Sequence, residues 1–472
     1  MQLVKSTTHK RTSKLGAIRL AISALVILII NPANAQDNSP YSRYGLGDLH
    51  PTTHIFNRGM AGVSQAYGDQ WSVNFANPAS YSRFYSLQEA RTKKLTYGRI
   101  ILDMGLNIDN RTISEPNNPE KFSSPNAYFS YLQLGIPLRK NWGMVFGLRP
   151  ISKINYKISR TEKLIDPVSH SPIDTALTQF VGDGGAYLFN TGTGFAIKNF
   201  SFGVNAGYLF GKKDYSTLRD LYNDTIVAGY YTGSNYQTKS TFGDLFFSMG
   251  MQYHIDLNKE KTKYLQFGLS GNIKQQLNSR NDIIRETYVR STDGGVLRLD
   301  SVSEKLDVKG KVDYPSSIGG GFLMERLPDV KKGGWLIGVD FVQNGWNDYR
   351  FNGQIDSVRN NWKLKIGGQI RPSLKDVKYK NLLSYRAGFF FGNDYVYLNK
   401  KLPEYGITVG MSLPIANLKD ASRRFRNQYS IINIAAEYIK RGNNDNVLSE
   451  NLFRVSVGFS LTDLWFVKKK YE

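Results

Sequence analysis

Apolar and polar residues alternate along many short stretches of this 472-residue chain. In the clearest of them, at 451–466, the apolar positions on one side are Phe453, Val455, Val457, Phe459 and Leu461. Alternation with a period of two predicts a β-strand with one apolar face and one polar face. In other such stretches the polar face carries Arg99, Asp103, Lys363, Lys365 and Arg371.

About fourteen such strands are predicted between residues 96 and 466. Short connections alternate with long polar ones, the longest of which are predicted at 160–184 and 281–313. Short turns at one rim and long loops at the other are typical of an outer-membrane barrel. The pattern therefore predicts an all-β fold, a transmembrane antiparallel β-barrel, with the long connections outside the cell. Aromatic residues that suit its interfacial girdles are Trp142, Trp335, Trp362, Trp465 and Phe466.

The first 35 residues have the pattern of a secretion signal. Basic residues precede an apolar run from Leu20 to Ile30, and Ala33 and Ala35 stand at the small-residue positions that signal peptidase requires. The apolar run is too short for a stable membrane helix, and no later segment offers the roughly 20 apolar residues that one needs. We therefore expect a Sec signal at 1–35. Because the chain has no cysteine, it contains no disulfide and no lipoprotein anchor site.

The chain has a formal net charge of +22, and five of its basic residues lie in the predicted signal. An exported chain meets little nucleic acid, and no basic motif with interleaved aromatic residues is present. The excess therefore predicts contact with outer-membrane lipid and lipopolysaccharide, or with other envelope proteins, and no nucleic-acid partner.

Residues 36–95 precede the first predicted barrel strand, which divides the chain into a signal (1–35), an N-terminal segment (36–95) and a barrel (96–472). The sequence "RGMAGVSQAYGDQWSVNFANPASYSRF" resembles the N-terminal signature of the FadL-type outer-membrane transporters of hydrophobic compounds. That resemblance implies a barrel of about fourteen strands with an N-terminal hatch in its lumen. The candidate hatch residues are Tyr41, Arg43, Tyr44, Asn77, Pro78 and Ala79. The stretch "SPYSRYGLGDL" (39–49) is not part of the transporter pattern.

A proline stands inside the third predicted strand, in "FGLRPISKIN" (146–155). Proline has no N–H to give to a sheet. The apolar residues expected on the lipid side are Met144, Phe146 and Leu148 before it and Ile154, Tyr156 and Ile158 after it, so no inserted bulge residue is predicted. The resemblance implies that Arg149, Pro150 and Ile151 mark a lateral gap through which an apolar ligand passes into the membrane. The alternative is a proline tolerated at an irregular point of the barrel.

No enzymatic site is predicted. His50 and His54 have a spacing seen in metal sites, but Pro51 lies between them and no acidic or thiol ligand is close by in the sequence. The "GDGG" at 182–185 lacks the helix and lysine of a phosphate-binding loop. We expect no metal, no cofactor and no catalytic residues.

Two functions remain open from the sequence. One is FadL-like passage of a small hydrophobic, lipid-like compound, which a continuous apolar pocket between hatch and wall would favour. The other is a non-transporting subunit or scaffold of an outer-membrane protein secretion or assembly complex, which a lumen filled by side chains would favour. Val457→Arg, which faces lipid, is expected to impair assembly, and Ser456→Arg, which faces the lumen, is expected to be much milder.

Overall fold

The computed structural model describes residues 39–88, 95–116, 118–165, 167–170, 172–223, 231–290, 296–373, 379–415 and 428–465. The predicted signal and Phe466 lie outside these residues. No helix within them is both long enough and apolar enough to cross a membrane.

The described residues are mostly β-strand, with one turn of α-helix at Ile55–Arg58. Short 3₁₀ turns lie at Pro40–Arg43, Pro78–Arg83, Trp346–Asp348 and Tyr379–Leu382. The strands are β1 (Asp48–Leu49), β2 (Ser86–Gln88), β3 (Leu95–Ser114), β4 (Lys121–Arg139), β5 (Trp142–Ile165), β6 (Pro172–Ile197), β7 (Phe200–Asn223), β8 (Gly233–Asp256), β9 (Lys263–Asn272), β10 (Gln275–Arg290), β11 (Val296–Tyr314), β12 (Ser317–Arg326), β13 (Gly334–Asn344), β14 (Arg350–Phe351), β15 (Gln354–Ile355), β16 (Asn361–Arg371), β17 (Ser384–Leu398), β18 (Lys400–Ile415), β19 (Gln428–Arg441) and β20 (Ser449–Trp465).

The sheet closes on itself, because β20 pairs with β3 from Ser449 opposite Ser114 to Trp465 opposite Gly98. Strands β9 and β10 occupy one position in the wall and β11 and β12 the next, so the wall is an antiparallel 14-strand barrel. This confirms the predicted fold class. Because the sheet closes, backbone N–H and C=O groups at the strand edges form hydrogen bonds with neighbouring strands. Lipid could not supply such partners.

The faces of β20 agree with the predicted alternation. Phe453 and Leu461 are exposed on the outside, whereas Arg454, Ser456 and Ser460 are buried on the inside. A strand with apolar residues outside and polar residues inside is what a lipid-facing barrel wall requires.

The two longest predicted loops are mostly strand, so that part of the prediction was wrong. Residues up to Ile165 continue β5, and β10 and β11 run through most of 281–313. These strands rise beyond the apolar belt, whose last outward residues are Tyr187 on β6 and Phe210 on β7. Above it, Lys212 on β7 is exposed and pairs with Asp183. A strand that stands in water is not required to place apolar residues on one face, so the regular alternation that predicted the other strands is interrupted here.

The core of the protein lies inside the barrel. Residues 39–84 fill the lumen in two layers, and both pack against inward-facing side chains of the wall. The upper layer packs Tyr41 and Leu46 against Trp346 and Tyr395. The lower layer consists of the chain from Ile55 to Phe84, whose buried side chains form several smaller clusters with the wall.

Candidate functional site

The upper layer, here called the roof, is residues 39–50. It begins with a 3₁₀ turn, whose N-cap Ser39 accepts a hydrogen bond from the N–H of Tyr41. The Tyr41 hydroxyl donates to the carbonyl of Leu448 at 2.7 Å. From the opposite wall, Lys213 Nζ donates to the carbonyl of Gly45 at 2.9 Å. The roof is therefore attached to both sides of the barrel.

The end of the roof pairs with β5 from inside the lumen. In this two-residue strand, Asp48 lies opposite Lys153 and Leu49 opposite Ser152. The N–H of His50 then donates to the carbonyl of Ile151 at 2.9 Å. The roof thus takes hydrogen-bonding groups of β5 that the neighbouring wall strand β4 does not use.

The wall is interrupted between β4 and β5. Their pairing runs from Arg139 opposite Trp142 to Leu132 opposite Leu148 and ends there. Strand β5 nevertheless continues to pair with β6 as far as Ile165. Pro150, which has no N–H to donate, lies just past the end of the β4 ladder.

A bulge changes the faces of β5 at this point. The register with β6 shifts between Pro150 and Ser152, which leaves Ile151 as an extra residue. Beyond it, Ile154 is 1% exposed and Tyr156 is 3% exposed, and both pack inside the barrel. The prediction that these two residues keep the lipid side was wrong, because one extra residue moves every following side chain to the other face.

The lower layer holds the Asn-Pro-Ala turn. Asn77 caps the 3₁₀ turn Pro78–Arg83 by accepting the N–H of Ala79, and its amide donates to the carbonyl of Gln65 at 2.7 Å. The turn packs so closely on the wall that a Cβ at Gly203 would overlap the Pro78 carbonyl group. Glycine in the wall is what permits this approach.

The roof carboxylate of Asp48 is neutralised in a buried network that links the roof to β3, β17, β19 and β20. Arg111 binds both Asp48 and Glu450, at 2.5 Å from the latter. Arg441 Nη1 lies 3.1 Å from Asp48 and 3.2 Å from Glu450, and its Nε lies 3.0 Å from Asp394. Each of these charges has a partner, as buried charges require.

A second ionic group lies at the lower layer. Arg58 of the short helix binds Glu437, and Arg454 binds Asp109 at 2.8 Å. Arg454 also lies 3.5 Å from Glu437, which joins the two pairs. The lumen is therefore charged, hydrogen-bonded and largely occupied.

A cavity of about 340 Å³ lies among residues of the roof, the lower layer and the wall. Its lining is mixed, with Leu188 and Phe246 on one side and charged residues such as Glu437 on another. Arg149 also lines it, with its guanidinium 5.3 Å from the ring centroid of Phe75. The cavity is not a continuous apolar passage.

The predicted hatch residues lie in two separate places, and the predicted gap residues lie in a third. Tyr41, Arg43 and Tyr44 are in the roof, while Asn77, Pro78 and Ala79 are in the lower layer. Pro78 packs against Gly194 of β6, whose partner Gly143 is near the start of β5. Arg149, Pro150 and Ile151 lie higher on β5, and Ile151 contacts His50 rather than the Asn-Pro-Ala turn.

Sequence reasoning missed the pairing of 48–50 with β5. Its signal was the stretch "SPYSRYGLGDL", which stood apart from the transporter pattern.

His50 and His54 have separate surroundings. The ring of His50 packs on Tyr128 at an interplanar angle of 50° with centroids 4.4 Å apart, and His54 Nε2 lies 3.3 Å from Asp103. Among the described residues, no three potential metal ligands of the His, Cys, Asp or Glu type come together.

Burial in the roof lowers the pKa of His50 from 6.5 to about 4, against the opposing effect of Asp48. His50 is thus neutral in the folded protein at neutral pH. As the pH falls from 6.5 towards 4, the unfolded chain binds the proton first, so folding loses up to about 3 kcal/mol. We expect this titration to lower the midpoint of the heat-dependent gel mobility shift over this pH range relative to that of a chain without His50.

His50→Phe keeps a ring on Tyr128 and cannot titrate, so it is expected to flatten this pH dependence. His170→Phe, at an exposed position, is the control and leaves the dependence intact. Asp48 does not contribute to the pH dependence between pH 6.5 and pH 4, because it titrates below this range. Burial raises its pKa, but Arg111 and Arg441 outweigh that effect and lower the pKa to about 2. Equal pH dependence in the His50 variant and the parent would contradict the assignment.

A closed 14-strand barrel with an apolar outer belt and a filled lumen defines an outer-membrane barrel protein. The BamG family model matches residues 17–472, and the chain belongs to the BamG family. No curated protein matches it.

Solved structures similar to the chain include three of the FadL type, as the sequence resemblance predicted. The "CymD monoaromatic hydrocarbon channel" is 13% identical with a TM-score of 0.47, and the match covers 89% of this chain and 98% of that one. A Pseudomonas aeruginosa FadL homologue is 12% identical with a TM-score of 0.48, covering 89% and 100%. The Pseudomonas putida toluene transporter TodX is 15% identical with a TM-score of 0.45, covering 89% and 99%.

Proposed function

We propose that this barrel is a non-transporting subunit or scaffold of an outer-membrane protein secretion or assembly complex. The observation that carries the proposal is the filled lumen. A channel needs a continuous path, whereas here the roof and the lower layer both pack against the wall. The remaining cavity is lined in part by charged residues, which an apolar compound would have to desolvate.

A surface above the membrane also supports this proposal. Strand β11 pairs with β10 along one edge, and within the described residues its other edge pairs only at Val312 and Asp313. The apolar residues exposed on this strand are Leu297, Leu299, Val302, Leu306 and Val308. An apolar edge strand in water is a place where a partner protein adds a strand.

The proposal is tested with Val302→Asp on β11 and Thr241→Asp on β8, both exposed above the apolar belt. The full chain is purified from outer membranes in mild detergent, and its companion proteins and its conductance in planar bilayers are measured. We expect companion proteins in fixed proportion, their loss in Val302→Asp alone, and no steady conductance. A purified barrel that conducts and has no companions would contradict the proposal.

The break between β4 and β5 favours a second function, FadL-like lateral passage of a small hydrophobic compound. The break lies at the level where the outward apolar belt ends, since Pro150 is opposite Tyr187. In this alternative, Arg149, Pro150 and Ile151 border the exit and the 48–50 segment closes it.

Gly47→Ala tests the lateral passage. Gly47 has a φ of +99°, and a Cβ there would lie 2.6 Å from the Lys153 carbonyl oxygen, so alanine is expected to push the segment away from β5. If compounds pass through the break, entry of toluene into proteoliposomes should rise several-fold. Gly353→Ala is the control, because Gly353 has a φ of +77° and nothing within 4 Å of its Cβ position. Unchanged entry with intact assembly would exclude this route.

A further inference from the structure

The excess positive charge is prominent at the rim with the short turns, which is the periplasmic rim of a barrel with this asymmetry. Exposed basic residues at this rim include Arg139, Lys140, Lys198, Lys263, Lys331 and Lys332. The sequence predicted lipopolysaccharide as a partner for the charge, but lipopolysaccharide would meet the opposite rim. These residues require a different anion.

The basic residues used below lie where β9, β12 and β13 reach this rim. Lys263 on β9 is directly opposite Arg326 on β12. Both share the outward face with Phe267 and Phe322, which are partners four residues further along the same strands and are exposed to lipid. Like charges directly opposite each other destabilise a sheet unless something neutralises them.

Only one carboxylate in the adjoining turn serves this group. Asp329 accepts a hydrogen bond from Arg326 at 3.0 Å. The same carboxylate also accepts the backbone N–H groups of Lys331 and Lys332, at 2.7 Å and 2.6 Å. Among the described residues, the ammonium of Lys263 has no carboxylate within ion-pair distance. Four basic residues thus lie in or next to a turn whose one carboxylate already accepts three hydrogen bonds.

The depth of these residues matches that of lipid headgroups. Arg326 is paired across the sheet with Trp335 of β13, and tryptophan is characteristic of the membrane–water interface. The lipid-facing apolar residues begin next to them on the same strands. A basic side chain at this level reaches the phosphates of the surrounding leaflet.

We propose that Lys263, Arg326, Lys331 and Lys332 form a binding site for the phosphate of an anionic phospholipid in the periplasmic leaflet. The position on the lipid side of the wall favours a lipid over an acidic protein, because a protein approaching from the periplasm would meet the turn but not the outward face of β9 and β12. The site lies outside the lumen and does not depend on the proposed function.

The test compares the full chain in phosphatidylcholine nanodiscs with and without phosphatidylglycerol, and counts the lipids it retains by native mass spectrometry. The variant is Lys263→Gln with Arg326→Gln. The matched control is Lys157→Gln with Lys239→Gln, two exposed residues at the opposite rim. We expect the preference for phosphatidylglycerol to fall about 25-fold in the variant, since each of the two basic residues near an anionic surface contributes about fivefold. The control should keep the preference.

Equal retention of both lipids by the parent, or an equal loss in the control, would overturn the proposal. Competition by free glycerol phosphate at the same concentration as the lipid would also overturn it, in favour of a soluble phosphate. An unchanged lipid preference in the variant, combined with loss of a companion protein that the control retains, would assign the cluster to an acidic protein instead. Thermal midpoints of all variants in phosphatidylcholine alone show whether the barrel itself is intact.

Discussion

Ser456→Arg is expected to impair assembly about as severely as Val457→Arg. From the sequence alone the first change was expected to be much milder, since a lumen-facing residue would meet water. In the structure Ser456 is 0% exposed. An arginine there would be forced into a packed interior, which costs about 1–3 kcal/mol in overpacking, in addition to the desolvation of its charge.

Val457→Arg is expected to cost about 2–4 kcal/mol, because Val457 faces lipid near the middle of the apolar belt. The fraction of folded barrel is measured for both variants by heat-dependent gel mobility. Lys239→Arg, at an exposed position above the belt, is the control, because its arginine enters neither lipid nor the packed lumen. A near-normal Ser456→Arg would mean that the lumen is open enough to hold an arginine, which would favour transport.

Glu450→Ala is expected to destabilise the folded barrel by about 3–5 kcal/mol, because removing one member of a buried ionic group leaves its partners uncompensated. Glu450 is 1% exposed and binds Arg111 and Arg441. It also accepts the hydroxyl of Ser39 at the start of the roof. The midpoint of the heat-dependent mobility shift should fall, and conductance should appear as the roof loosens.

Asp183→Ala is the control for Glu450→Ala. It removes a carboxylate from an ion pair with Lys212 in which both side chains are more than half exposed. Exposed pairs contribute about 0–1 kcal/mol, so little change is expected. Similar midpoints for the two variants would show that the buried network does not hold the roof.

The barrel could be predicted from the sequence because every strand that crosses lipid must alternate apolar residues on its outer face with polar residues on its inner face. Val457 and Ser456 alternate for that reason, and their faces agree with the prediction. Where the strands leave lipid this alternation ends, and most of β10 and β11, at 281–313, was predicted to be a loop. The alternation also misled the prediction at Ile154 and Tyr156, because their apolar side chains pack inside the barrel at the level of the roof and do not face lipid.

The site was less predictable, because its parts are distant in sequence. Asn77 was identified through a resemblance, but the pairing of Asp48 and Leu49 with β5 depends on where β4 stops pairing, and no local pattern records that. The ionic group around Glu450 could not be predicted for the same reason. Asp48, Arg111 and Arg441 come from separate regions, and only the closed barrel brings them together.

The hydrogen bond between Ser39 and Glu450 joins residues that are 411 positions apart. Tyr41 makes a similar connection to Leu448. Contacts of such separation carry a high loop-closure cost, which the formation of the intervening strands reduces. We therefore expect Ser39 and Tyr41 to dock only when the last strand is in place, so that the interior fills as β3 and β20 meet. Until then a nascent molecule is an unfinished sheet with an empty concave side, so any factor that escorts it must cover both its open edges and that concavity.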